Sequence, residues 1–577
     1  MRTPNVGPAE LGFLVASSYI FYVFLARFGS RRSTRLKGPT SGNFLFGNMP
    51  QLLNAPDVGA IYEKWAARYG SVFSVPAILG SRTVVLTDPK SITHFAARET
   101  YGYVGTPQAK RFLERLIGRG LFVAEGDSHK RRVQITGTFI FACFDLDILS
   151  RQRRALNPAF SNAAIKNLTP VFFDSAYKTK AAWDTMIESG PSEGTVIEVQ
   201  MWMNHISLDT IGLAGFAHDF GTLSGKTSSI AKALDELGSK PSTFLDDVFF
   251  LLSSIRPVFA SVPTSRRLML NQLTKEMFAI GEKFLESTGD VTALDKSVIG
   301  LLVKSASSEK ISQEEVKAQI NVLLLAGYET TASKSKFVPN TCITDPIRFK
   351  LASRGHSSNS HATQKSKPNS DKSFSSWVEI LFGKILPTMA PSSMRSHAKF
   401  CVAIHLSRKS NEWQAAEDDI LPLSAPLEAA NGQVVESVFV REGTVVTLPI
   451  SCINRSEAFW GPTAKTFNPA RWLDETDGID KHRAQEIQGY RHLLTFSDGA
   501  RICLGKTFAV VEFKAVLSVL VRNYMFELPG GPKTAIGRHQ NILPRPKVEG
   551  EGWIWCALED STLCVFRIGF LTLSFCS

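Results

Sequence analysis

The stretch Phe496-Ser-Asp-Gly-Ala-Arg-Ile-Cys-Leu-Gly505 decides what this sequence folds into. It places Cys503 in a short glycine-bounded loop, directly before an apolar run that has helical spacing. At the N-terminus of a helix, unpaired N–H groups and the helix dipole stabilise negative charge, and both effects favour a thiolate. The pattern therefore predicts that the sulfur of Cys503 is a metal ligand.

The other positions of this stretch indicate a bulky, flat and anionic partner. Gly499 and Gly505 allow the backbone to approach such a partner closely, and Arg501 is placed to pair with an anionic group on it. The alternative is an ordinary buried cysteine that opens a core helix, which is the usual position of a lone cysteine. Five fixed positions within ten residues favour the metal ligand.

The spacing F-x-x-G-x-R-x-C-x-G resembles the cysteine loop of the cytochrome P450 family, the haem-thiolate monooxygenases. The resemblance implies that the cofactor is haem (iron protoporphyrin IX), with Cys503 as the axial thiolate ligand of its iron. It also implies that Phe496, Gly499, Arg501 and Gly505 surround the haem. The implied fold is mainly α with a small β lobe, as in microsomal members of fungal type.

A second motif lies within a predicted long helix. Ser312-Gln-Glu-Glu315 has the form of a capping box, and the helix that it opens runs into Ala326-Gly-Tyr-Glu-Thr-Thr331. Glycine in a helix interior costs about 1 kcal/mol relative to alanine, and threonine bends helices by bonding back to carbonyls. We therefore expect a local bulge in this helix. A buried helix with a glycine kink and no catalytic role is the alternative.

This hexapeptide resembles the oxygen-binding groove of the same family. By that resemblance, Ala326 and Gly327 leave room for dioxygen. Thr330 is then expected to donate a hydrogen bond to the bound oxygen, and Glu329 is expected to relay protons from solvent. Thr330 and Glu329 are therefore the catalytic residues that the resemblance implies.

The N-terminus predicts a membrane anchor. Leu11 to Ala26 form a run of sixteen uncharged residues, and a basic cluster between Arg27 and Lys37 follows it. This length is at the short end for a spanning helix, and the positive-inside rule leaves the main body in the cytosol. The resemblance adds the endoplasmic-reticulum membrane. A cleaved signal peptide or an interfacial segment is the alternative.

The domain organisation follows from these patterns. We assign residues 1–36 to the membrane anchor and its basic flank, 37–550 to the cytochrome P450 haem domain, and 551–577 to an atypical C-terminal tail. Within the haem domain, Ser71–Ala77 and Arg82–Asp88 are alternating, β-branched runs. They predict a β-hairpin in the small β lobe.

The composition excludes two other classes of protein. The chain has 577 residues and a formal net charge of +12, but thirteen Lys and Arg against three acidic residues lie between Lys334 and Ser410. Because the rest of the chain is nearly neutral and shows no basic face with interleaved aromatic residues, we expect no nucleic-acid partner. Eight cysteines in this length do not make a disulfide scaffold.

Three segments depart from the family pattern. Residues 132–151 insert an apolar, aromatic run into a cationic helix, residues 334–410 are rich in Ser, Lys, Asn and His, and residues 551–577 are unlike the family. We interpret these segments as intron-derived or frame-shifted. The resemblance implies that His129 and Arg153 donate hydrogen bonds to the haem propionates, but the first insertion disrupts their spacing.

One supporting motif of the family is missing. In the family, a Glu-x-x-Arg pair binds the arginine of a later segment, which is Arg471 in Phe467-Asn-Pro-Ala-Arg-Trp472, but no Glu-x-x-Arg lies between Thr331 and Glu417. A buried arginine without its partner costs several kcal/mol, which is comparable to the stability of a whole domain. We therefore predict that this chain folds poorly or binds haem weakly.

The reaction implied by the resemblance is the insertion of one atom of O₂ into a small apolar organic substrate. Its electrons come from a partner similar to NADPH–cytochrome P450 reductase. One alternative is a haem-thiolate isomerase or dehydratase that needs no reductase, although such chemistry has no use for a proton relay. The other alternative is an inactive, misprocessed product that lacks the Glu-x-x-Arg motif.

Overall fold

The protein is described here by a computed structural model. The described residues are 33–41, 43–53, 55, 57–125, 148–190, 195–232, 245–246, 249, 262–286, 298–300, 312–335, 412–465, 482–527, 536–539, 545–548 and 565–570. The predicted anchor run Leu11–Ala26, His129, Arg471 and nearly all of residues 334–410 lie outside these ranges. For Glu329, the backbone is described and the side chain is not.

Helices dominate the described part of the chain, as predicted. In chain order they are α1 (Met49–Leu53), α2 (Val58–Tyr69), α3 (Pro89–Arg98), α4 (Pro107–Ile117), α5 (Ile148–Leu156), α6 (Asn162–Glu188), α7 (Val199–Phe216), α8 (Ser265–Glu286), α9 (Gln313–Ser335), α10 (Ile450–Ile453), α11 (Glu457–Trp460) and α12 (Lys506–Asn523). Short 3₁₀ turns join several of them, including those at Leu494–Phe496 and Gly499–Arg501 that form the cysteine loop.

The strands are short and form small sheets. They are β1 (Val72–Pro76), β2 (Arg82–Leu86), β3 (Tyr103–Gly105), β4 (Thr195–Glu198), β5 (Glu412–Ala415), β6 (Asp419–Glu428), β7 (Val434–Val440), β8 (Val445–Thr447), β9 (Tyr524–Glu527), β10 (Ile536–His539), β11 (Arg545–Val548) and β12 (Val565–Phe570). One sheet has the order β1-β2-β8-β5-β3, another has the order β4-β12-β9, and β6–β7 and β10–β11 are hairpins.

The predicted hairpin of the β lobe is confirmed. Strands β1 and β2 pair antiparallel with Val72 opposite Leu86 and Pro76 opposite Arg82. Both strands are buried over nearly their whole length because helices and the neighbouring strand β8 cover them. This lobe has its own apolar core, built around Phe95, Tyr103 and Trp413.

The long helix α9 is the centre of the helical core. Its predicted capping box is confirmed, because the N–H of Ser312 donates to Glu315 Oε2 at 2.9 Å and the N–H of Glu315 donates to Ser312 Oγ at 3.1 Å. The expected bulge is wrong, since residues 313–335 form one continuous α-helix. Helix α9 packs against α7, α8, α4 and α12, and the fully buried Leu324 and Leu325 lie in this interface.

Two of the segments that depart from the family pattern carry packed structure. Helix α5 begins at Ile148, inside the predicted insertion 132–151, so the last four residues of that segment continue the cationic helix. Strand β12 lies inside the predicted atypical tail, and it is the central strand between β4 and β9. These parts of both segments are therefore integrated into the fold.

Membrane topology is not visible in the described residues. No helix among them is long and apolar enough to cross a bilayer. The anchor predicted at Leu11–Ala26 precedes the first described residue, Ser33.

Candidate active site

Cys503 lies in the loop directly before helix α12, as predicted. Its N–H donates to the carbonyl of Phe496 at 2.8 Å, which closes the loop, and its own carbonyl accepts from the N–H of Lys506 at 3.4 Å. Gly505 is the residue that precedes the first turn of α12. Cys503 is partly exposed, so the structure places an accessible thiol at a helix N-terminus.

Phe496 anchors the other end of this loop. Its ring is buried and stands edge-on to Tyr490, with the ring centroids 5.5 Å apart. The next residue, Ser497, has a φ of +58°, which is uncommon for a residue with a side chain. This turn directs the chain from Phe496 back towards Cys503.

The two glycines of the motif have different surroundings. Gly499 has a φ of +65°, and a Cβ atom there would lie 2.2 Å from the carbonyl oxygen of Ala96 in helix α3. Its close approach is therefore to α3. A Cβ atom on Gly505 would meet nothing nearer than the ring of Phe160 at 4.0 Å, so Gly505 borders open space.

Arg501 is buried and binds backbone carbonyls that the sequence does not point to. Its Nη2 donates to the carbonyl of Ala124 at 2.7 Å, and its Nη1 donates to that of Phe122 at 3.4 Å. Its Nε lies 3.8 Å from Oε1 of the buried Glu99. The guanidinium thus ties the cysteine loop to the segment that follows α4.

Arg153 brings a second guanidinium to the cysteine loop. Its Nη1 donates to the carbonyl of Ile502 at 2.9 Å. Burial lowers the pKa of Arg153, while the nearby Cys503 acts in the opposite direction. The structure therefore places Arg153 at the cysteine loop, and its role as a donor to the haem propionates stays a prediction.

Residues beside Arg153 connect the cysteine loop to the long helix. Arg151 Nη2 donates to Glu315 Oε1 at 2.7 Å, and the buried Gln152 donates to the same oxygen at 3.0 Å. Sequence reasoning assigned Glu315 only to the capping box and Arg151 to an insertion. Helix α5 therefore joins the first turn of α9 on one side and the cysteine loop on the other.

The hexapeptide in α9 combines a partly open face with a packed one. The hydroxyl of Thr330 donates to the carbonyl of Ala326, and both residues are half-buried. Gly327 is packed against helix α7, because a Cβ atom there would lie 2.8 Å from Cγ1 and 3.0 Å from Cβ of Ile211. The absence of a side chain at Gly327 thus allows helices α7 and α9 to approach each other closely.

Asn454 is a residue of the cysteine-loop region that the sequence analysis did not single out. Its Oδ1 accepts from the N–H of Leu494 at 2.8 Å, and its Nδ2 donates to Thr495 Oγ1 at 3.2 Å. These bonds fix the two residues before Phe496. Asn454 therefore holds the start of the loop from the side of helix α10.

The donor set fits haem. Among the described residues, no group of three or more His, Cys, Asp or Glu side chains is placed to hold a metal ion. The partly exposed thiol of Cys503, with open space at Gly505 and two guanidiniums nearby, suits a prosthetic group that brings its own metal ligands and carries carboxylates. Haem has both properties.

Comparison with known proteins identifies the family. The family model for Cytochrome P450 matches residues 36–346 and 418–549. The break between these two parts, 347–417, falls largely within the predicted aberrant segment 334–410. Both sequence motifs, at Ala326–Thr331 and at Phe496–Gly505, lie in the matched parts.

Curated fungal proteins are similar over nearly their whole length. Cytochrome P450 monooxygenase claQ of Ampulloclitocybe clavipes is 44% identical over 95% of this chain and 97% of that protein. Cytochrome P450 monooxygenase claP of the same fungus is 46% identical over 90% of this chain and 91% of that protein. Cytochrome P450 monooxygenase 205 of Postia placenta is 28% identical over 95% of each.

The family uses haem iron with a cysteine thiolate ligand. The similar proteins named above are fungal monooxygenases. The chain belongs to the cytochrome P450 family of haem-thiolate monooxygenases.

Proposed function

We propose that this protein inserts one atom of O₂ into a small apolar organic substrate, with electrons from an NADPH-dependent reductase. The observation that carries the proposal is the partly exposed thiol of Cys503, directly before α12, in a loop with the family's spacing. The similarity to named monooxygenases over more than nine-tenths of this chain supports the reaction class.

The residues around the loop suit the binding of haem. We assign Cys503 as the iron ligand and Arg153 and Arg501 as the positive charges near the haem carboxylates, with Phe496 and Gly505 bordering the ring. When bound, haem supplies the activation of oxygen and its transfer to carbon. The protein supplies the thiolate, the orientation of the ring and the exclusion of water.

Thr330 and Glu329 are the residues that we assign to proton delivery. The Thr330 hydroxyl donates a hydrogen bond to the Ala326 carbonyl within the helix. In this proposal, rotation of the Thr330 side chain frees its hydroxyl to donate a hydrogen bond to a bound molecule instead of to the Ala326 carbonyl. The side chain of Glu329, one residue earlier on the same helix, then supplies the replacement proton from solvent.

The proposed location and reductase partner rest on the sequence. The uncharged run Leu11–Ala26 and the basic cluster after it support an N-terminal anchor in the endoplasmic-reticulum membrane, with the catalytic domain in the cytosol. The same membrane carries the reductases that serve microsomal members of the family. The reductase partner is therefore proposed together with this location.

An inactive product of a P450 gene is the second candidate. It is favoured by the absence of any Glu-x-x-Arg between Thr331 and Glu417 and by the break in the family match over 347–417. In that case Arg471 lacks the partner that the family normally provides, and haem binding is weak.

The carbon-monoxide difference spectrum of the reduced full-length chain tests this proposal. We expect a thiolate-type Soret band that Cys503→Ser abolishes. Cys452→Ser is the matched control, because Cys452 is buried and its burial raises the pKa of the thiol to about 12. Retention of the thiolate band in Cys503→Ser contradicts the ligand assignment, and no band in the parent chain supports the inactive product.

A further inference from the structure

Helix α3 packs against the cysteine loop. The backbone of Gly499 lies against the carbonyl of Ala96, so closely that no side chain fits between them. At the end of the helix, the buried Glu99 lies 3.8 Å from the Arg501 guanidinium, two residues before Cys503. Any displacement of α3 therefore moves the loop that carries the proposed iron ligand.

Strand β6 holds α3 along the whole helix. At the N-terminus, Asp88 caps the helix through the N–H of Ser91 at 3.1 Å and also accepts from the N–H and the hydroxyl of Ser424, both at 3.0 Å. In the first turn, the hydroxyl of Ser91 donates to the carbonyl of Pro422 at 2.7 Å. The strand and the helix are thus joined by polar contacts at one end.

Asp419 makes the corresponding contacts at the other end of α3. Its carboxylate lies 2.9 Å from Nε2 of His94 and 3.2 Å from Nη1 of Arg98, and it accepts from the hydroxyl of Tyr103 at 2.8 Å. Arg98 also pairs with Glu417 at 2.5 Å. The Asp419 side chain is only 5% exposed, so its carboxylate is shielded from water, although the His94 and Arg98 side chains reach the surface.

The neighbours of Asp419 stabilise the ionised form of its carboxyl group. Burial acts to raise the pKa of Asp419, but the hydrogen bonds from Tyr103 and His94 outweigh it and lower the pKa. Burial and the bond to Asp419 in turn raise the pKa of Tyr103. The carboxylate is therefore ionised at neutral pH and accepts several hydrogen bonds at once.

A strained turn between α3 and β3 depends on the same cluster. Thr100 is fully buried and has a φ of +85°, a conformation that costs a β-branched residue energy. Its N–H donates to the carbonyl of Tyr103 at 2.8 Å. Since Tyr103 is fixed through its hydroxyl to Asp419, the cluster also determines where the preceding Glu99 meets Arg501.

We infer that Asp419 is a positioning residue for the haem-thiolate centre, acting through helix α3 on the Cys503 loop. The inference rests on the proposed role of Cys503. It gives this chain a support for the loop that does not involve the Glu-x-x-Arg motif, which its sequence lacks between Thr331 and Glu417. That support begins with β6, directly after the part of the chain that the family model leaves unmatched.

Hydrogen exchange of the full-length protein tests the inference. Asp419→Asn and the milder Tyr103→Phe are compared with Asp418→Asn, because the Asp418 carboxylate is exposed and accepts from the N–H of Glu442. We expect amide exchange in peptides from α3 and from the loop 496–505 to accelerate about tenfold in the first two variants, the factor for losing a hydrogen bond to a charged group. Helix α6 and the Asp418→Asn protein should be unchanged.

The reduced carbon-monoxide spectrum provides the second readout. We expect the fraction of thiolate-type band to fall in Asp419→Asn and Tyr103→Phe, while Asp418→Asn keeps the parent value. Faster exchange throughout α6 as well as the loop, or unchanged exchange in the loop, overturns the inference. If Cys503→Ser keeps the thiolate band, the proposed function fails, but the exchange result still shows whether Asp419 positions the loop.

Discussion

Gly499 and Gly505 stand on either side of Cys503 in the cysteine motif, and they meet different surroundings. Gly499 has a positive φ and lies against the backbone of Ala96, whereas Gly505 has a φ of −82° and borders open space. A side chain at the first position therefore disturbs the packing of the loop on α3. A side chain at the second disturbs only what occupies the space beside it.

Alanine substitutions separate these two roles. We expect Gly499→Ala to lower the free energy of unfolding by at least about 1–2 kcal/mol, because an L-residue is strained at this φ and its Cβ overlaps Ala96. Gly505→Ala should change it by less than about 0.5 kcal/mol. It should nevertheless weaken haem uptake, because its methyl group enters the space where we place the ring.

Urea unfolding and haem titration of both variants make the comparison. Equal losses of stability in the two proteins would contradict the different surroundings described here. Normal haem uptake by Gly505→Ala would contradict the placement of the ring beside Gly505.

At the scale of one element, helix α9 shows how a motif residue serves packing. Gly327 belongs to the oxygen-groove motif, and the sequence suggested that it opens space for dioxygen. In the structure, one side of this glycine faces Ile211 of α7 at a distance that excludes a methyl group. The close contact between two core helices is therefore one reason for glycine at this position.

A double-mutant cycle measures this contact. We expect Gly327→Ala to destabilise the fold by about 1–3 kcal/mol through overpacking. Ile211→Ala in the same chain should recover part of that loss, with an interaction energy of at least about 0.5 kcal/mol. Gly281→Ala in α8 is the control, because a Cβ atom there would meet no described atom nearer than 3.9 Å, which is an ordinary van der Waals contact. It should be neutral or stabilising by up to about 1 kcal/mol.

The four proteins of this cycle are compared by urea unfolding. Additive effects of Gly327→Ala and Ile211→Ala would show that the two residues do not share the contact. A large decrease in the free energy of unfolding of Gly281→Ala would show that alanine destabilises these helices without any steric overlap.

At the scale of the whole molecule, one sheet joins the C-terminal part of the chain to strand β4, more than 300 residues earlier. Strand β12 lies between β4 and β9, with Ile568 opposite both Thr195 and Phe526. Residues that are far apart in sequence thus meet beside the helical core. A strand in this central position has backbone bonds on both sides, so its loss exposes two edges.

Proline scanning of the tail tests this topology. Ile568→Pro removes a backbone donor from the central strand and should lower the free energy of unfolding by about 3 kcal/mol or more. Ser574→Pro lies beyond β12 and should have little effect. If both substitutions are tolerated equally, the tail does not contribute a central strand.

Local parts of the fold were predictable from sequence. The capping box of Ser312 and Glu315, the hairpin of β1 and β2, and the position of Cys503 before α12 depend on residues close together in the chain. The hydrogen bonds and the periodicity of these features depend on residue types within short stretches of sequence. The absence of a bulge in α9 was not predictable, because the contact of Gly327 with Ile211 joins two separate helices.

The sequence by itself determined the family of this protein: a cysteine before a helix, a motif that resembles the family's oxygen-binding groove on a long helix, and a mainly α fold. The tertiary structure alone decided what holds that chemistry in place. Arg501 binds the carbonyls of Phe122 and Ala124, and Asp419 reaches His94 across 325 positions of sequence. A local pattern cannot encode such pairings, because they exist only once distant segments pack together and exclude water.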